Sequence, residues 1–272
     1  VGIEAAVGEG ASRTLMALVE PHLTKAARSR LQVELEGHRG WSLERRMRDV
    51  ADRDRAHAGL DRARRLLADA TSWSTGAPPA SIAAEVPYWL GLCEQRIAMA
   101  IDPLERERFM ADNVLHWTSA MPPGRVGLLY AHTFHVAAGP YEFKGHEQRP
   151  MGMFLRGALG ARYRVVGMTF GEGTFLAMQP IGGPRLRGIH VARLDAPSQP
   201  CLEQRLISRG DAPSVIRPTV DCAALGDACD RMRQIGIVYP IGFHDMKLDY
   251  LGIDVARAFD AVVFFPRAHA DR

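Results

Sequence analysis

The spacing of apolar residues changes once along this chain, near Gly124, and that change limits the folds open to it. Up to about residue 120 the spacing is helical. In ASRTLMALVEPHL the positions Leu15, Leu18, Val19 and Leu23 recur three or four apart behind Ser12, a candidate cap. A second helix is expected from Ser42, where SLER has the serine and following acid of a capped start, through RRMRDVADRDRAHAGLDRARRLLADA. The stretch STGAPPAS then breaks the pattern, because glycine and proline do not continue a helix. Two more helices are expected, in SIAAEVPYWLGLCEQRIAMAI, with Pro87 as a kink or boundary, and in PLERERFMADNVLHWTSAM, closed by PPG.

After Gly124, short apolar runs bounded by turn residues alternate with helical stretches. RVGLLYAH reads as a buried strand, MGMFLRGALG as a helix ended by glycine, and YRVVGMTF as a second buried strand. TFLAMQP and LRGIHVARL follow, then helices near CLEQRLIS and CAALGDACDRMRQ, and a last strand in FDAVVFFP. This alternation implies an α/β fold: a mixed central sheet flanked by helices, with a helical region inserted in the first half. One domain over residues 1–272 is expected, mainly helical over 11–121 and built on the sheet over 125–272.

At 272 residues, 47% hydrophobic and 24% charged, the chain can bury a large core. Its 34 basic and 31 acidic residues nearly balance, so a field that steers partners has to come from local clusters, and nucleic acid is not an expected partner. The arginine-rich stretch from Arg45 to Arg65 is interleaved with Glu44, Asp49, Asp52, Asp54 and Asp61, the pattern of a solvated helix face. No apolar run approaches the roughly 18 residues of a spanning helix, so no membrane role is expected. No basic segment with an apolar signal core opens the chain. The four cysteines form no CxxC pair, so reduced thiols and a cytoplasmic location are expected, although Cys222 and Cys229 are spaced to share a helix face.

The stretch LLYAHTFHVAAG places His132 and His135 at or just past the C-terminal end of the expected buried strand, the edge at which open α/β sheets build their sites. In an extended chain they would point to opposite faces, and a turn at Thr133 and Phe134 would bring both imidazoles to one cleft. Histidine titrates near neutral pH and suits general acid/base work, one ring deprotonating water and another stabilising an anion. A zinc site needs about three protein ligands, for which Glu4, His244 or Asp245 would have to join the pair; no metal or other cofactor is expected. No GxSxG elbow is present, so histidine with water is favoured over a serine nucleophile. FGEGTF lacks phosphate-loop spacing and reads as a turn between strands, with Glu172 able to face a cleft.

In order and spacing, these segments resemble the erythromycin esterase family over nearly the whole chain. VGLLYAHTFHVA is similar to that family's strand followed by A-H-N-x-H-V/I, and RERFMADN to its R-D-x-x-M-A-x-N helix. MGMFLRGALGARYRVVGMTFGEGTF resembles its M-G-x-x-L, L-G-x-x-Y, strand and glycine-rich turn. FDAVVFFPRAHA resembles its closing strand, and VGIEAAVGEG the early strand that ends in a glutamate. The resemblance implies hydrolysis of a macrolactone ester, and with it macrolide resistance, by water activated at a histidine and glutamate cluster. It points to His132, His135 and Glu4 as catalytic residues and to Arg106 and Asn113 on the helix signature as substrate contacts, beside Phe134 and Glu172. The family's G-E-x-x-H-G motif has no counterpart here, since no histidine follows GEG at 8–10, and Thr133 stands in place of the motif asparagine. The expected partner is a small-molecule ester or lactone of a bulky natural product. The alternative is a non-hydrolytic member that binds or otherwise modifies a natural product or polysaccharide precursor.

Overall fold

A computed structural model describes residues 10–36, 50–102, 105–143, 145–180, 186–210, 212–235 and 250–270. The chain falls into two compact units, Val1–Met121 and Pro122–Arg272.

The first unit is helical. Helices α1 (Gly10–Val19), α2 (Lys25–Glu36), α3 (Val50–Ala68), α4 (Ala80–Ile101) and α5 (Arg106–Ser119) carry it, with α1 packed on α4 and α2 on α3. Leu15, Val19, Leu31, Leu35, Leu60 and Ile97 are fully buried, the apolar stripes of amphipathic helices turned inward. The Trp73 indole joins this core and donates to the Leu67 carbonyl at 3.0 Å, so its one polar atom is satisfied. Pro87 lies inside α4, which continues through it. The expected start at Ser42 lies outside the described residues. On α3 the charges pair as their spacing suggests, with Arg64 bonded to Asp61 at 3.3 Å and Arg62 reaching Glu34 of α2 at 2.9 Å.

Among the described residues, the second unit holds eight strands in two four-stranded sheets. They are β1 (Tyr141–Phe143), β2 (His146–Gln148), β3 (Val166–Pro180), β4 (Leu186–Leu194), β5 (Ser214–Ile216), β6 (Arg231–Arg233), β7 (Tyr250–Ile253) and β8 (Ala261–Ala268). The antiparallel sheet has the order β2-β1-β7-β6, and the mixed one the order β4-β3-β8-β5, with β3 and β8 parallel. Helices α6 (Thr133–Val136), α7 (Met151–Leu159), α8 (Leu202–Ile207), α9 (Pro218–Leu225) and α10 (Val255–Ala258) flank them. The expected α/β class with flanking helices is what the chain adopts, the β-structure being divided between two sheets. Along β3 burial alternates with the period of a strand, so Val165, Gly167 and Thr169 turn inward while Val166 and Met168 face solvent.

Four local expectations are corrected. RVGLLYAH forms no strand: Val126, Leu128 and Tyr130 are 94%, 97% and 89% exposed, because an apolar run becomes a strand only where a neighbour completes its ladder. FGEGTF is no turn but the middle of β3. There the strand passes from pairing with β8, which ends at Gly173↔Ala268, to pairing with β4, which starts at Gly173↔Leu194. At Gly173, φ is +129°, and a Cβ would lie 2.0 Å from the Ala268 carbonyl oxygen, so the crossing requires glycine. CAALGDACDRMRQ is not one helix: α9 stops at Gly226, whose φ of +60° turns the chain into a 3-10 segment and then β6. That reversal joins Cys222 and Cys229 in a disulfide, so the expectation of reduced thiols holds only for the buried Cys93 and Cys201.

One close contact sets the position of everything near the histidines. Gly152, in the first turn of α7, lies so near the chain at Val136 and Ala137 that a Cβ there would meet their carbonyl oxygens at 2.0 and 2.4 Å. Gly152→Ala is therefore expected to destabilise the protein by about 1–3 kcal/mol or more, the cost of overpacking against backbone that cannot yield. Gly157→Ala, on the same helix with nothing within 4 Å, should be neutral or stabilising by up to about 1 kcal/mol. Urea denaturation of both variants checks the contrast, and equal stabilities would contradict it.

Candidate active site

His132 is the N-cap of the one-turn helix α6, with extended φ and ψ of −56° and 139°. Its Nδ1 accepts the Phe134 N–H at 3.4 Å, and its Nε2 lies 2.8 Å from the Ile235 carbonyl. A carbonyl only accepts and an N–H only donates, so the network selects the neutral tautomer with the proton on Nε2. The residue keeps contact with solvent, but partial burial pushes its pKa below the ordinary histidine value; the Ile235 carbonyl opposes that shift and the neighbouring His135 adds to it.

His135 is half-buried on the same turn, its ring centroid 6.1 Å from that of His132. The turn thus brings the two imidazoles to one side. Between them Phe134 points inward, buried, with its ring 5.5 Å from Tyr141 of β1.

Three further contacts hold this turn. The Thr133 hydroxyl donates to the Met168 carbonyl at 2.9 Å and accepts the Met168 N–H at 3.3 Å, standing in for a ladder neighbour on that edge of β3. The Tyr163 hydroxyl donates to the Val136 carbonyl at 2.8 Å; burial pushes its pKa up to about 12, so it remains a donor at any working pH. The Ala138 N–H donates to the Ala258 carbonyl at 2.8 Å. Nearby, Asp260 accepts from Arg156, Arg164 and the Val165 N–H at 2.6, 2.9 and 2.8 Å. Burial alone would raise the Asp260 pKa, but these donors hold it below the usual carboxylate value.

A cleft of about 30 Å³ opens beside the His132 ring. Thr133 and Phe134 form one wall, Met168 and Thr169 of β3 another, and Met232, Arg233 and Ile235 the third. A water occupies about 10–15 Å³ on this measure, so the cleft has room for a water or a single functional group, and the bulk of any large ligand has to lie outside it.

Behind the cleft are polar groups that sequence reasoning missed. Glu203 of α8 is fully buried; its carboxylate accepts the Thr169 hydroxyl at 2.6 Å and the Arg233 N–H at 3.2 Å on each oxygen. Burial raises its pKa, against the lowering effect of these donors. The Arg233 guanidinium, 2% exposed, donates from Nη1 to the carbonyls of Gly171 and Asp195, both at 2.8 Å. In sequence, CLEQRLIS and RMRQ look like ordinary surface patches, and nothing short of burial marks them.

The remaining expected residues lie elsewhere. Glu172 pairs with Arg267 at 3.0 Å on the exposed side of β3 and does not line the cleft. Asn113, buried on α5, exchanges hydrogen bonds with Gln95 at 3.2 and 3.1 Å, and Arg106 opens the same helix in the first unit. Glu4, His244 and Asp245 lie outside the described residues. Among the described residues no three His, Cys, Asp or Glu side chains group as metal ligands.

The model of the erythromycin esterase family matches residues 11–268, a span that includes the histidine turn, α7 and Tyr163. The chain belongs to the erythromycin esterase family. Among solved structures it is similar to an erythromycin esterase, the EreC histidine-to-asparagine mutant in its open conformation, at 20% identity and a TM-score of 0.68, over 100% of this chain and 69% of that one. It is similar to a succinoglycan biosynthesis protein at 16% identity and a TM-score of 0.69, over 96% of this chain and 62% of that one. A Bacillus cereus protein matches at 13% identity and a TM-score of 0.69, over 97% of this chain and 64% of that one. The chain thus spans less than two thirds of the length of the latter two, and at these identities the likeness is one of fold. No curated protein matches.

For this esterase-family member the state of His132 has a consequence for stability. Its folded pKa lies below the unfolded value of about 6.5, so the unfolded chain binds the proton more readily. The contribution is fully present above pH 6.5 and is lost as pH falls through the folded value. Urea denaturation at pH 7.5 and 5.5 should show wild type losing more stability than His132→Gln, and equal losses would place the pH dependence in other groups.

Proposed function

We propose that the protein is a carboxylic-ester hydrolase that opens an ester or lactone of a bulky, macrolide-like natural product by attack of water at the His132 cleft. The observation that carries this reading is a water-sized cleft beside a neutral imidazole, with a second imidazole on the same turn. Family membership supports the reaction class.

The roles follow from which atoms are free to do what. His132 presents an Nε2–H that it gives to the Ile235 carbonyl, so a substrate oxygen entering there competes for a donor already in place. A donor of this kind stabilises the oxyanion that forms as water adds to the ester carbonyl. His135 is then the general base that takes the proton from water, and Glu4 the carboxylate that balances the imidazolium so formed. Phe134 forms the apolar wall beside the acyl carbon. The bulky remainder of the substrate lies outside the cleft, which cannot hold it. The pKa of His132, lowered below the ordinary histidine value by burial, favours the neutral, donating form.

A second reading is a protein that binds a natural product or a polysaccharide precursor without hydrolysing it. Thr133 favours it: the threonine replaces the motif asparagine, and its hydroxyl is taken up on both sides by Met168. A fold neighbour described as a succinoglycan biosynthesis protein also fits this reading.

Mass spectrometry of a panel of macrolactones and simple esters incubated with the full-length protein separates the two. A product heavier by one water is expected, with turnover lowered by ~10² to 10⁴ in His132→Ala and in His135→Ala, the range for donor and acid/base groups. Ligand bound with no product would establish the second reading instead.

A further inference from the structure

We infer that Glu203 is a positioning residue for His132: its buried carboxylate clamps the two sheets together at the cleft and thereby holds the carbonyl that selects the imidazole's tautomer. The inference rests on the reading of the 132–136 turn as the site, but its test requires no turnover.

The clamp follows from the connections. Glu203 takes the Thr169 hydroxyl from β3 of the mixed sheet and the Arg233 N–H from β6 of the antiparallel sheet. Each contact lies next to one that holds the histidine turn. Thr169 follows Met168, whose N–H and carbonyl are both bonded to the Thr133 hydroxyl. Arg233 is two residues before Ile235, whose carbonyl receives the His132 Nε2–H. The carboxylate thus ties together the two backbones between which His132 is suspended.

Glu203 is also an expensive way merely to fill space. A carboxylate out of water is costly unless its oxygens are paired, and a hydrophobic residue of similar size would avoid that cost. No ion pair offsets it among the described residues: the one guanidinium near it, that of Arg233, donates to the Gly171 and Asp195 carbonyls. Its partners are the Thr169 hydroxyl, the backbone amides of Arg233 and of Glu203 itself, and the Cys201 thiol. A neutral aliphatic side chain could fill the volume but could not link Thr169 to Arg233.

Among the described residues, the titratable and charged groups around His132 are His135 on its own turn, Arg233 on the β6 side and Glu203 behind both strands; Met168 and Thr169 on the β3 side do not titrate. Loosening the clamp lets β6 draw away, so His132 loses both its carbonyl partner and part of its burial. Burial is the largest influence on its pKa. Burial lowers that pKa and the carbonyl raises it, so a change at either one displaces the titration.

The test is imidazole nitrogen NMR of the full-length protein across pH 5–8, with His132 assigned by comparison with His132→Gln. Wild type should show Nε2 protonated, Nδ1 unprotonated and a titration below the ordinary value of about 6.5. In Glu203→Gln, which keeps the shape and one acceptor, the titration should shift from its wild-type position and the second tautomer should appear. Thr169→Val removes only the hydroxyl donor, should act in the same direction, and decides the question if Glu203→Gln does not fold. A His132 titration and tautomer unchanged in the folded variants would overturn the inference. Absence of hydrolysis in the mass-spectrometric assay would overturn the proposed reaction without bearing on this result.

Discussion

The approach of α7 to the histidine turn, at a distance only a glycine allows, is the contact on which the candidate site depends. With Gly152 against the carbonyls of Val136 and Ala137, the turn sits low enough for the Tyr163 hydroxyl to reach Val136 and for Ala138 to reach Ala258. The same placement brings the Thr133 hydroxyl to both backbone atoms of Met168. None of these bonds is strong by itself, each contributing roughly 1 kcal/mol net. Together they leave the turn one position, and the direction of the His132 ring follows from it.

That direction places the imidazole at the junction of the two sheets. One ring nitrogen caps the turn's own helix, and the other points to a carbonyl just past β6, so both are engaged in the resting protein. A ring held this way is neutral and donates toward the cleft, which suits stabilising a negative oxygen better than removing a proton. The proposed division of labour between His132 and His135 follows from that asymmetry, and the buried Glu203 carboxylate, bonded to Thr169 of β3 and Arg233 of β6, links the two sheets beside the cleft.

Several signatures that point to the family in the sequence acquire physical roles here. The glycine of MGMFL is the close contact, and the tyrosine of LGARY is the donor to the turn. The aspartate of FDAVVFFP gathers Arg156, Arg164 and the Val165 amide. The threonine that replaces the motif asparagine closes part of an exposed strand edge. Such motifs are short because each supplies one contact at one place, and those of the glycine, the tyrosine and the threonine converge on a single turn.

From the sequence by itself came the helical first half, the α/β second half, the end of α7 at a glycine and the histidine pair as the place to look. These are local properties, carried by apolar spacing, turn residues and motif order. Tertiary structure alone decided that RVGLLYAH is exposed, that FGEGTF runs straight through a strand, and that Cys222 meets Cys229 across a chain reversal. It also decided that Glu203 and Arg233 are buried behind the cleft. The physical reason is common to all of these. Whether an apolar run becomes a strand, or a glutamate a buried clamp, depends on groups far away in sequence that complete its hydrogen bonds or exclude its water, and spacing along the chain carries no record of them.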